Sequence, residues 1–261
     1  MSLLNPDATR LAADRTLRTA LRHTLVLCTG LDEAREGQVF HRRTFATGEF
    51  VLQVERSVPY ALALHGSIRN YGAATVDRVL RHVRERFDPE GKLVLWGYSC
   101  GGFNALRACE LIDKWWYRYA RDGRPGALET EAPYSADAGA RLRVDLLVTV
   151  DPCAWKLYRE SWNTKVPACV KWAQNWYQRS DTRPPPEGFK GVALTGSFQN
   201  YRNALVGNPH VNHENILDIT RDWSFRALIE ALGGQAPPRP LRPFEGGARS
   251  SRQPSPAGAR R

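Results

Sequence analysis

The stretch Leu93–Gly102 reads LVLWGYSCGG, an apolar run that ends in a serine set between glycines. Lys92–Trp96 has the short, continuous apolar pattern of a strand buried on both faces of a sheet. Gly97-Tyr98-Ser99-Cys100-Gly101 matches Gly-x-Ser-x-Gly. Where a strand bends sharply into a helix, the serine takes a strained backbone conformation, and bulky side chains two positions to either side would collide. Glycine at both positions removes the collision and lifts the hydroxyl clear at the strand end. Beyond Gly101, Phe103, Leu106, Cys109 and Ile112 recur at helical spacing towards Trp115 and Trp116, so the pattern stands between a strand and a helix, as the bend requires. The rival reading is a tight turn with an idle serine. A phosphate-binding loop is excluded, because GYSCGG lacks the Lys-Ser/Thr ending.

Working outward, strand-like and helix-like segments alternate. HTLVLCTG (His23–Gly30) predicts a strand, and FVLQVERS and YALALHG predict two more on either side of Pro59. Val76, Val79, Leu80, Val83 and Phe87 predict a helix between Tyr71 and Phe87. VDLLVTV (Val144–Val150) reads as a second buried strand, KGVALTG as the last strand, and Ile219–Leu232 as a closing amphipathic helix. This alternation predicts an α/β fold with a mostly parallel central sheet and helices on both faces. Gly233-Gly234 followed by prolines is a helix stop, so the folded domain is expected to end at residue 234. Residues 235–261, rich in Pro, Gly, Ser and Arg, cannot bury enough surface to fold and predict a disordered tail.

A serine hydroxyl needs an imidazole to take its proton and a carboxylate to orient that imidazole. Asp151 directly follows Val144–Val150 in TVDPC, and neighbouring parallel strands lie about 5 Å apart, which brings its carboxyl within reach of Ser99. The turn-forming role of Asp-Pro is the competing account. A more usual place for the acid, after the following strand, reads as vacant, since Thr195–His213 contains no Asp or Glu. Of six histidines, His23, His41 and His82 stand beside arginines or on polar faces, and His65 ends a strand upstream of the serine. His210 and His213 share the polar loop NPHVNHENI. His213 is favoured because its segment leads straight into the closing helix, with His210 as the alternative base. The chain order Ser, Asp, His is the one associated with α/β-hydrolases.

These residues make the region from about Leu25 to Leu232 resemble the α/β-hydrolase superfamily, and its lipase-like members in particular. In those, an acid in a DP sequence often follows the strand after the bend, as Asp151-Pro152 does here. Two further segments resemble bacterial lipase-like proteins. One is a VP..V....NWYQ helix, matched by Val166, Pro167, Val170, Asn175, Trp176, Tyr177 and Gln178; the other is an H..I segment, matched by His213 and Ile216. The superfamily's frequent HGGG loop is absent, and its first strands are missing or very short. The resemblance implies an oxyanion hole with one donor from the backbone N–H of Cys100. The second donor comes from the CTGL turn at Gly30-Leu31 or the LHGS turn at His65-Gly66. Only one helix separates the latter from the serine's strand, so strand counting favours Leu31.

The totals are ordinary for a soluble globular protein. The 261 residues, 42% hydrophobic and 25% charged, suffice for one large domain, and no apolar run approaches the roughly 20 residues that span a bilayer. The first 22 residues lack a signal sequence's apolar stretch and predict an amphipathic N-terminal helix and a cytoplasmic location, with signal-independent export still open. Five cysteines without a CxxC pair read as buried free thiols, and no metal-ligand cluster or dinucleotide fingerprint appears. Of the net charge of +10, the tail supplies +5, from six arginines and one glutamate. Aromatics crowd Trp155–Tyr177, either as a lid or acyl-binding wall or as packing onto the sheet. The expectation is a serine hydrolase cleaving a carboxylic ester or thioester of a small molecule or lipid, without a cofactor, a metal or a clear nucleic-acid site. The alternative is an inactive scaffold whose basic tail meets an acidic partner.

Overall fold

The computed structural model describes residues 22–31, 45–58, 60–66, 73–86, 88, 91–122, 143–153, 163–181, 190–197 and 200–234. The expected N-terminal helix, the basic tail and the aromatics Trp155, Tyr158 and Trp162 lie outside the described residues. Six strands form one sheet: β1 (Thr24–Leu31), β2 (Leu62–Gly66), β3 (Leu93–Tyr98), β4 (Leu146–Val150), β5 (Ala173–Tyr177) and β6 (Tyr201–Leu205). Their order is β2-β1-β3-β4-β5-β6, and every neighbouring pair is parallel. The helices are α1 (Phe45–Ser57), α2 (Ala73–Arg86), α3 (Cys100–Asp122) and α4 (Ile216–Ala231).

Alternation along the strands sorts the core into two layers. Val26, Cys28, Leu93, Leu95 and Leu147 meet Val79 and Val83 of α2 and Leu106, Cys109 and Ile112 of α3. Leu25, Leu27, Val94, Trp96, Val148 and Val150 face the other way, against Phe50 and Val54 of α1 and Leu217 and Leu228 of α4. Phe50 stacks on Trp96 with ring centroids 4.6 Å apart. The expected parallel sheet with helices on both faces is what the chain forms. All five cysteines are buried and outside any disulfide. The helix stop is also as read: Gly233 takes a φ of +78°, and the Gly234 and Gly233 N–H groups donate to the Ile229 and Glu230 carbonyls. No helix among the described residues is long and apolar enough to cross a membrane.

Three segments differ from expectation. FVLQVERS is helical, in α1. Phe50, Val51, Val54 and Val58 are buried while Glu49 and Leu52 are exposed, a helical stripe that its β-branched valines disguise. The expected VP..V....NWYQ helix is instead an approach at Val166–Val170 followed by strand β5, whose buried Asn175 accepts from Thr149 Oγ1 and donates to Asn203 Oδ1. Polar residues satisfied by cross-strand side chains hid a central strand. KGVALTG is not a sheet strand; its one ladder contact is an isolated bridge between Thr195 and Lys165. The Asn203 side chain takes both the N–H and the C=O of Leu194 at 2.9 and 2.8 Å, satisfying the backbone without a strand partner, and β6 occupies the place beside β5.

Candidate active site

Ser99 follows β3 and opens α3 with a φ of 58°, the left-handed conformation the bend requires. The flanking glycines are compelled by close backbone approach. A Cβ on Gly97 would stand 2.4 Å from the Gly101 carbonyl oxygen, and one on Gly101 would stand 2.0 Å from that of Cys28. Asp151 ends β4 in a second left-handed turn, with a φ of 46°. The pairing of Tyr98 with Val150 sets the two turns side by side, and the Ser99 N–H donates to the Val150 carbonyl at 3.0 Å.

His213 closes the arrangement from the loop before α4. Its Nδ1 is 2.7 Å from Asp151 Oδ2 and its Nε2 is 2.8 Å from Ser99 Oγ. A carboxylate only accepts, so the Nδ1–H donates to Asp151, and Nε2 is left to accept from the serine hydroxyl. Ser99, Asp151 and His213 are therefore brought together as one hydrogen-bonded row. His210 is exposed, with its N–H on Asn208 Oδ1 and its carbonyl accepting from Asn215, away from that row. His23 accepts from the Lys92 N–H at the opposite end of β3 from Ser99, and His82 lies on α2. His41 is outside the described residues.

Leu31 ends β1, directly beside β3, and a Cβ on the neighbouring Gly30 would stand 3.0 Å from Ser99 Cβ. β2, which ends at His65-Gly66, lies beyond β1 at the sheet edge, one strand further from the serine. Cys100 is the first residue of α3, where backbone N–H groups point out of the helix end.

Four partners of this row are not apparent from sequence. Gln178, just past β5, donates to both Asp151 carboxylate oxygens, through its N–H and its Nε2, each at 3.0 Å. Its Oε1 accepts from the Asp181 N–H, and Asp181 Oδ2 accepts from the His213 N–H at 3.3 Å. The position after the next strand is thus occupied and not vacant: that strand is β5, and Asp181 follows it. Its carboxylate grips the histidine's backbone and leaves the ring to Asp151. Tyr98, the variable residue before the serine, stacks on the His213 ring at 5.3 Å and donates its hydroxyl to the His213 carbonyl. Burial, with the Asp151 charge nearby, holds that phenol well above its usual pKa, so it remains a donor. Cys153 is the fourth, two residues after the acid, with its sulfur 3.4 Å from Ser99 Oγ.

Burial works against a charged His213, but the Cys153 sulfur and the Asp151 carboxylate more than offset it, and the imidazole pKa is raised above 6.5. Among the described residues no group of three His, Cys, Asp or Glu side chains is placed to hold a metal ion.

No family model matches the chain, and no curated protein does. Solved structures with a similar fold include a candidate YdeN-like hydrolase from Pectobacterium atrosepticum, 14% identical, with a TM-score of 0.38 over 81% of this chain and 96% of that one. A cutinase-like protein from Cryptococcus is 12% identical, with a TM-score of 0.42 over 83% and 98%. A protein of unknown function from Agrobacterium tumefaciens, named as a candidate alpha/beta hydrolase, is 11% identical, with a TM-score of 0.41 over 84% and 89%. At that level of likeness the strand order and the bend at Ser99 carry the assignment, and they give this chain an α/β-hydrolase-like fold.

Proposed function

We propose that the protein is a serine hydrolase that cleaves a carboxylic ester or thioester through an acyl-enzyme. The observation that carries this reading is the row Ser99 Oγ, His213 Nε2 and Nδ1, Asp151 Oδ2, with both hydrogen bonds shorter than 3 Å. Ser99 attacks the acyl carbonyl while His213 takes its proton, and Asp151 stabilises the imidazolium. The N–H groups of Cys100 and Leu31 are assigned the oxyanion. His213 then returns the proton to the leaving group, and a water deprotonated by the same imidazole releases the acid. These steps need no cofactor. The substrate class is a small acyl ester or lipid.

The test is labelling with a fluorophosphonate, which reacts with an activated serine. Wild type and His210→Ala should label at Ser99, and His213→Ala should lose at least about a hundredfold in labelling rate. A folded wild type that takes no label would remove the hydrolase reading; loss with His210→Ala would exchange the histidines.

The pH dependence follows from the raised His213 pKa. The base works only when neutral, so the reaction rises with pH and its acid limb falls above the ordinary imidazole value of 6.5. A limb at or below 6.5 in the labelling-rate profile would contradict the assignment of His213 as base.

A further inference from the structure

Ester cleavage leaves Cys153 idle, although its sulfur is 3.6 Å from His213 Nε2 and 3.4 Å from Ser99 Oγ. One imidazole nitrogen therefore faces two nucleophiles, an oxygen and a softer sulfur. Backbone contacts hold the thiol there, since the Cys153 N–H donates to the Ser99 carbonyl at 3.4 Å. Cys153 and Ser99 are covered to nearly the same degree, 5% and 8% exposed, and their side chains touch, so both stand at the same place in the site. Cys28 and Cys109 lie instead in the apolar layer under α2 and α3, where burial pushes the Cys28 thiol up to about 12 and raises that of Cys109, which leaves them inert.

We propose that Cys153 is a second nucleophile sharing His213 with Ser99, and that it is a covalent modification site for soft carbon electrophiles, haloacetamides and α,β-unsaturated carbonyl compounds, whose adduct closes the site to esters. In the step, His213 Nε2 takes the thiol proton and the sulfur forms a bond to carbon. With a haloacetamide the halide leaves with the bonding pair. With an unsaturated carbonyl the pair moves into an enolate, which takes the proton back from His213. Thiolate sulfur is the better partner for such carbon, whereas the serine oxygen is matched to acyl and phosphoryl centres. An adduct on sulfur fills the space beside Ser99 Oγ that an acyl carbonyl must enter to about 3–3.5 Å before attack. The inference rests on the proposed role of His213 as a base, and does not need Ser99.

The experiment treats the native full chain with iodoacetamide, maps the modified cysteines by mass spectrometry, and then labels Ser99 with fluorophosphonate. Cys153 should be modified ahead of the other four cysteines, with Ser99 labelling lost in proportion. Cys153→Ala should keep its Ser99 label through the same treatment. Ser99→Ala should still be alkylated at Cys153, and His213→Gln should slow that alkylation about tenfold or more. An unmodified Cys153 in a wild type that takes fluorophosphonate would overturn the proposal, as would a fully alkylated Cys153 beside a fully labelled Ser99. Equal alkylation rates with and without His213 would also overturn it. Should His213→Gln not fold, the comparison of wild type with Cys153→Ala decides alone. Alkylation of Cys153 through His213 in a protein that never takes fluorophosphonate would sink the serine reading and leave this one standing.

Discussion

Ser99→Ala should lower hydrolysis of an activated ester such as p-nitrophenyl acetate by about 10⁴- to 10⁶-fold, with little change in the thermal unfolding midpoint. The size follows from what the substitution leaves. His213 and Asp151 stay paired at 2.7 Å, and the proposed oxyanion donors are backbone groups that alanine does not touch. What is lost is the atom that forms the acyl bond, so the residual rate comes from binding and electrostatics acting on water. Among the described residues the serine hydroxyl's side-chain hydrogen bonds go to His213 and Cys153, and the bend's backbone conformation is no harder for alanine than for serine. Because serine and histidine are proposed to act as one unit, the double variant Ser99→Ala/His213→Ala should fall no further than Ser99→Ala when both are compared in a Cys153→Ala background, where the second thiol beside His213 is absent. A single variant retaining more than about a tenth of the wild-type rate would mean that another group performs the attack.

Gly101→Ala should cost about 2 kcal/mol or more of stability, which lowers the unfolding midpoint by roughly 4–8 °C in a domain of this size. In a helix interior alanine ordinarily gains about 1 kcal/mol over glycine, so the sign here is set by the clash. The new Cβ would stand 2.0 Å from the Cys28 carbonyl oxygen and 2.3 Å from that of Thr29. Both belong to β1, which is held between β2 and β3 and cannot retreat without breaking a ladder. Gly207 has open space around its Cβ position, so Gly207→Ala is the control and should shift the midpoint little. A Gly101→Ala midpoint within about 2 °C of wild type, by calorimetry, would show that the bend has room the geometry denies.

The sequence was most legible where one physical demand dominates. The strand before Ser99 is apolar on both faces because both faces are covered, and its flanking glycines mark backbone contacts that allow no Cβ. Asp151 and His213 were legible because a strand end and the loop before a final helix are the places from which side chains can converge on that edge. Legibility failed where tertiary partners replace local pattern. Asn175 and Asn203 satisfy each other across β5 and β6, so a buried strand carries polar residues and reads as something else. That misreading hid Asp181, since the turn holding it follows a strand that was placed elsewhere. α1 reads as a strand because its valines say nothing of which layer they face. Cys153 and Tyr98 carry no sequence signal at all; only their distances to His213 reveal them.

The grip on His213 also has a temporal meaning. Its ring meets Asp151 across 62 residues of chain and Ser99 across 114, and Tyr98 reaches its carbonyl across 115. Contacts of such separation form late, after the intervening strands have paired. On a ribosome Ser99 emerges first, Asp151 second, and His213, the proposed base, only after the last strand. On the proposed function, Ser99 stays an ordinary alcohol until α4 docks, so the growing polypeptide would not be acylated before its fold is complete.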